Sequence, residues 1–189
     1  MIKLIVGLGN PGKEYLAHRH NAGFWFVDRL AKKLGSEFGN QSKFFGETAE
    51  AFVGTKKVRL LKPQTFMNCS GKSIQALAAY FDINANEVLV IHDELDLNPG
   101  NIKIKLGGGH GGHNGLRDVI KSLDAQDFYR LRVGIGHPGT KNEVVNFVLS
   151  PATKKELALI ECCIDEAIGV MGLLVEGEIE EATKSLHTN

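Results

Sequence analysis

Three segments of the chain gather groups for which a hydrophobic core has no use: residues 9–21, 63–70 and 92–115. The first carries Asn10, Tyr15 and His20, and the second carries Asn68. The third carries His92-Asp93-Glu94 and then Gly107-Gly108-Gly109-His110-Gly111-Gly112-His113-Asn114. An unperturbed imidazole titrates near pKa ~6.5, and a carboxylate on its second nitrogen fixes the tautomer and stabilises the imidazolium, so such a pair can take a proton from water. His20 with Asp93 would suffice, although other acids and histidines lie in the same loops and spacing alone does not select the pair. No serine sits in a Gly-x-Ser-x-Gly elbow and Cys69 has no evident basic helper in sequence, which leaves water as the expected nucleophile. Metal chemistry is the competing reading, because His18, His20, His92, Asp93, His110 and His113 could ligate one or two divalent ions. Amides outweigh carboxylates in these loops, which counts against a hard-metal site.

These loops need strands to hold them. Ile2–Val6 is a short apolar run of the parallel-sheet kind, and the Gly-Pro punctuation after it turns the chain out at the edge where open α/β sheets bind ligands. Gly7-x-Gly9-x-x-Gly12 satisfies the dinucleotide pattern, but Pro11 sits in the turn, Lys13–His20 has no helical period, and Asp28 falls in a helix instead of at a strand end. A nicotinamide or flavin site is therefore not expected. Further along, Asn21 as N-cap and Phe26, Val27, Leu30, Ala31 and Leu34 predict a helix that Gly35 stops. Residues 44–53, 57–62, 87–92, 102–106 and 129–136 predict strands, and 70–82 predicts a helix. A long C-terminal helix is expected to bury Leu157, Ile160, Ile164, Ile168, Met171 and Val175, with a short helix near 178–187 beside it. The expected class is α/β: one domain over 1–189, with a mixed, mostly parallel sheet flanked by helices.

The composition is that of an ordinary globular protein, with 43% hydrophobic and 23% charged residues. Neither a run of ~18 apolar residues nor a leader pattern is present, so a cytoplasmic location without membrane contact is expected. The three cysteines, two of them adjacent, suit reduced thiols, with Cys163 packed as a small hydrophobe. Formal charge is zero but unevenly spread: residues 101–132 hold six basic against three acidic residues, and 156–181 hold eight acids without Lys or Arg. That asymmetry permits a phosphate-binding face, and it equally suits a solvated surface with clustered charges.

The motifs Gly7-Leu8-Gly9-Asn10-Pro11-Gly12-x-x-Tyr15, Arg19-His20-Asn21-x-Gly23, Phe66-Met67-Asn68-x-Ser70-Gly71, His92-Asp93-Glu94-Leu95-Asp96, Gly107 through Gly115 and Arg132-x-Gly134-Ile135-Gly136-His137-Pro138 run in one order from residue 4 to about 149. In this the chain resembles the bacterial-type peptidyl-tRNA hydrolases. The resemblance implies hydrolysis of the ester between a peptide and the 3′-terminal ribose of tRNA, with His20 as base and Asp93 orienting it. It further implies Asn68 and Asn114 as substrate-binding amides, Asn10 as the residue separating N-blocked from free aminoacyl esters, and Tyr15 and the Phe66 backbone as tRNA contacts, with core packing the other reading of Phe66. Lys103, Lys105 and Arg132 would form a basic patch for the acceptor end and 5′-phosphate. No cofactor is implied, and a monomer is. His18 departs from the family's usual Thr, which bears on local loop packing. A non-catalytic RNA-binding protein of the same fold remains the other class to separate from this one.

Overall fold

The computed structural model describes residues 1–187. Its elements are β1 (Leu4–Gly7), α1 (Ala22–Lys33), β2 (Gly39–Gln41), β3 (Gly46–Val53), β4 (Lys56–Pro63), α2 (Ser70–Tyr80), β5 (Val88–Glu94), β6 (Ile102–Leu106), α3 (Asn114–Leu123), β7 (Tyr129–Gly134), α4 (Val144–Val148), α5 (Lys154–Gly169), α6 (Met171–Glu176) and α7 (Ile179–His187). Seven strands form one sheet in the order β2-β3-β4-β1-β5-β7-β6. The central β4, β1, β5 and β7 are parallel, while β2, β3 and β6 run antiparallel to their neighbours.

Alternation along the strands splits the core in two. Ile5, Leu60, Leu89, Ile91, Leu131 and Val133 face Phe26, Val27 and Leu30 of α1 and Ile160, Ile164 and Ile168 of α5. Leu4, Val6, Leu61, Val88 and Val90 face Ile74 and Leu77 of α2 and Leu116 and Val119 of α3. Because the four central strands share a direction, the segments leaving β1, β4 and β5 all emerge at one edge. This is where the sequence places its reactive loops.

Several boundaries differ from expectation. Ser42–Phe44 forms a 3-10 turn and Phe45 is left-handed (φ 51°), so β3 starts at Gly46 and not at 44. β5 runs from Val88 to Glu94, two residues past the expected end at His92, which puts Asp93 inside the strand and not after it. α3 was not expected, although Leu116, Val119, Ile120 and Leu123 have helical spacing; the preceding glycines mask it. The C-terminal helix breaks at Val170, and Leu157, 36% exposed, lies off the buried stripe that Cys163 and Ala167 share. No helix is long and apolar enough to cross a membrane among the described residues.

Two glycines bring α1 against the sheet. A Cβ on Gly7 would lie 2.2 Å from the Gly23 carbonyl oxygen, and one on Gly23 would lie 2.4 Å from Leu8 N and 2.5 Å from Ile91 O. Backbone cannot yield as a flexible side-chain tip can. Gly23→Ala is therefore expected to destabilise the fold by about 2–3 kcal/mol through overpacking, read as a lowered urea midpoint. A wild-type midpoint would show that this contact is not close.

Candidate active site

The close α1–β1 contact fixes the start of α1 beside β5, and the 3-10 turn Arg19–Asn21 immediately before α1 carries His20. His20 Nδ1 lies 2.8 and 2.9 Å from the two carboxylate oxygens of Asp93. The imidazole and carboxylate, 73 residues apart in sequence, are both buried. Since Nδ1–H donates to Asp93, Nε2 keeps its lone pair, and it has no protein partner among the described residues.

A third group completes the pair. His113 Nε2 donates to Asp93 Oδ1 at 3.0 Å, and its Nδ1 accepts from the backbone N–H groups of Gly115 and Leu116 at 3.1 and 3.2 Å. His113 is thus the N-cap of α3, and this double acceptance forces its proton onto the nitrogen facing Asp93. His20, Asp93 and His113 offer ligand-type atoms within 4.8 Å of one another, yet the facing nitrogens are proton donors, which does not favour a metal. His92 is buried with Nδ1–H donating to Asp93 O at 2.8 Å; burial, then the neighbouring His113, drops its pKa to about 3, so it stays neutral.

The titration of the pair follows from opposing forces. Burial pulls the His20 pKa down, but the charge of Asp93 and the hydrogen bond to it outweigh burial, and the net shift is upward. Burial likewise disfavours the Asp93 anion, but His20 and His113 more than compensate and hold its pKa well below the ordinary carboxylate value.

Asn10 is held on three sides. Its N–H donates to Asn21 Oδ1 at 2.8 Å, its carbonyl accepts from Asn21 Nδ2 at 3.0 Å, and its Oδ1 accepts from Met67 N–H at 2.8 Å. Among the described residues only the Nδ2 amide of Asn10 is left without a partner and able to donate outward. Asn21 occupies the N-cap position of α1 as expected, but its side chain makes no cap bond and is spent on Asn10. Asn114 opens α3, exposed, with Oδ1 accepting from Arg117 at 3.1 Å and Nδ2 without a partner among the described residues. Asn68 is exposed on the turn after β4. Tyr15 packs edge-on to Phe66 (6.3 Å between centroids) and to His18 (5.4 Å), and the His18 backbone bridges to Pro151. Phe66 is 59% exposed, so it is not a core residue.

Lys103 and Lys105 are exposed on edge strand β6, opposite Arg132 and Arg130 of β7. Arg132 is committed to Glu94 at 2.8 Å, so of the three expected patch residues only the lysines are without an ion-pair partner among the described residues. Sequence reasoning did not single out Arg19, which is buried and donates to Ser150 Oγ at 2.7 Å and Glu156 at 2.8 Å, with its guanidinium 4.1 Å from the Phe147 ring centroid. It ties the His20 turn to α4 and α5.

Fold and site together define an α/β protein with a buried imidazole–carboxylate centre ringed by outward-facing amides. A model of the family described as peptidyl-tRNA hydrolase matches residues 4–189. The chain is 53% identical over 187 residues to the peptidyl-tRNA hydrolase of Ruthia magnifica, covering 99% of this chain and 98% of that one. With that of Vesicomyosocius okutanii it shares 52% over 185 residues, covering 98% and 96%. A crystal structure of peptidyl-tRNA hydrolase from Acinetobacter baumannii superposes with a TM-score of 0.96 at 48% identity, covering 99% of this chain and 95% of that one. The chain belongs to the peptidyl-tRNA hydrolase family.

Proposed function

We propose that the chain hydrolyses the ester joining a peptide to the 3′-terminal ribose of tRNA, with His20 as general base and Asp93 as its orienting partner. His20 Nε2 takes a proton from water as the water oxygen bonds to the ester carbonyl carbon. The resulting imidazolium is stabilised by Asp93 and returns the proton to the departing ribose oxygen, leaving a free hydroxyl on tRNA and a peptide carboxylic acid that loses its remaining proton to solvent as the carboxylate. Asn68 and the Nδ2 of Asn114 supply amide donors for the 3′ end and for charge developing on the carbonyl oxygen. The half-buried Tyr15 with the exposed Phe66, and Lys103 and Lys105, would meet the acceptor end and its 5′-phosphate, and Arg132 would hold Glu94 beside them. In this reading the protein acts as a cytoplasmic monomer without a cofactor.

The observation that carries the proposal is the 2.8 Å contact between His20 Nδ1 and Asp93, which leaves Nε2 as the available base. The test is turnover of labelled N-acetyl-aminoacyl-tRNA with chelator present. Release of free tRNA supports the proposal; binding without release would mark an RNA-binding protein, and loss with chelator a metal enzyme.

Selectivity follows from Asn10. Its Oδ1 is fixed as an acceptor by Met67 N–H, so Nδ2 is the group that can donate to the carbonyl of an N-acyl linkage, which a free aminoacyl ester lacks. Asn10→Ala is expected to lower the ratio of kcat/KM for blocked over free substrate by about tenfold, the value of one good hydrogen bond. An unchanged ratio would refute this role.

A further inference from the structure

Arg130 is 3% exposed, yet no carboxylate forms an ion pair with it among the described residues, and the nearby Glu94 is taken by Arg132. A buried guanidinium without a counter-charge is costly unless its hydrogen bonds are met. Arg130 meets part of them with the glycine-rich loop: Nη1 donates to Gly109 O at 2.6 Å and Nη2 donates to Gly108 O, while Nε is buried without a hydrogen-bond partner among the described residues. The Phe128 ring, 4.7 Å from the guanidinium carbon, supports the plane.

Peptide geometry turns this tether into a statement about the loop's outer side. In a trans peptide the C=O and the following N–H point in opposite directions, and no bond here is cis. With the carbonyls of Gly108 and Gly109 drawn in to Arg130, the N–H groups of Gly109 and His110 face outward, and neither has a protein acceptor among the described residues. The Lys105 ammonium stands beside them, 3.0 Å from where a Cβ on Gly108 would sit. Outward amides beside an ammonium form an anion-binding concavity.

We propose that Arg130 is a positioning residue for substrate binding, holding the glycine-rich loop so that the Gly109 and His110 amides and Lys105 receive a phosphate oxygen of the tRNA acceptor strand. This rests on the peptidyl-tRNA reading above. Loop and catalytic pair are separable in kinetics, because the phosphate contacts bind and the imidazole reacts. The experiment compares wild type, Arg130→Met and Arg130→Lys on N-acetyl-aminoacyl-tRNA and on the N-acetyl-aminoacyl ester of adenosine, which has no phosphate. Arg130→Met is expected to raise KM for the tRNA substrate about tenfold with kcat within about twofold, and to leave kcat/KM on the adenosine ester within about twofold. Arg130→Lys, which keeps the charge and can reach one carbonyl, is expected to recover part of the KM and serves as the test if the methionine variant melts early. A wild-type KM in either folded variant, or equal losses on both substrates, would overturn the proposal. Wild-type turnover in the same assay checks the substrate reading separately.

Discussion

His20→Ala is expected to lower kcat on N-acetyl-aminoacyl-tRNA by about 10²–10⁴-fold while KM stays within about threefold. The size follows from what is removed. Nε2 is the one basic atom of the His20–Asp93–His113 cluster whose lone pair is not already engaged, because His20 Nδ1 and His113 Nε2 both face Asp93 and His113 Nδ1 accepts two amides. His113 cannot substitute without releasing the first turn of α3. The alanine variant also leaves the buried Asp93 with one imidazole donor instead of two, so His20→Asn, which can still donate toward Asp93, separates lost chemistry from lost stability. A folded variant turning over within about threefold of wild type would remove His20 from the mechanism.

Asp93→Asn is expected to lower kcat/KM by about 10²-fold or more, since the tautomer is no longer enforced and the imidazolium loses its counter-charge. The same substitution has a stability signature whose sign is fixed by the pKa directions. The raised His20 contributes stability that is full below its ordinary 6.5 and is lost as pH rises through its elevated value. The depressed Asp93 contributes stability that is present above its ordinary 3.8 and is lost as pH falls through its lowered value. The pair therefore supports the fold most fully between those two ordinary values. The stability gap between wild type and Asp93→Asn should be wider at about pH 5.5 than at about pH 9, as read from urea midpoints. Equal gaps would contradict the charge coupling.

Periodic features were open to reading from the residues, and unique contacts were not. β6 falls on 102–106 as expected, and α2 and β4 lie within two residues of expectation, because alternation and helical spacing repeat along the chain. The His20–Asp93 pairing was suggested by chemistry and by family resemblance, but the residues are 73 apart and no local pattern announces the contact. His113 stood among candidate metal ligands, and its role as a helix cap was missed because imidazole is not among the usual N-cap side chains. Arg19 and Arg130 were missed for a related reason. Charged side chains are counted as surface by default, and only the folded backbone reveals the carbonyls that receive them. Gly7 and Gly9 fit a phosphate-binding fingerprint, but Gly7 gives α1 its close approach to β1, and a Cβ on Gly9 would meet the Phe24 ring at 2.6 Å.

The most direct test is to titrate the His20 ring nitrogens by ¹⁵N NMR and overlay the result on the pH dependence of kcat/KM. The account predicts a His20 pKa above its ordinary 6.5, an acid limb of the rate profile at the same pH, and a fall of that pKa below 6.5 in Asp93→Asn, where burial acts alone. A ring titrating below 6.5 in the wild type, or a rate profile indifferent to its protonation, would contradict it.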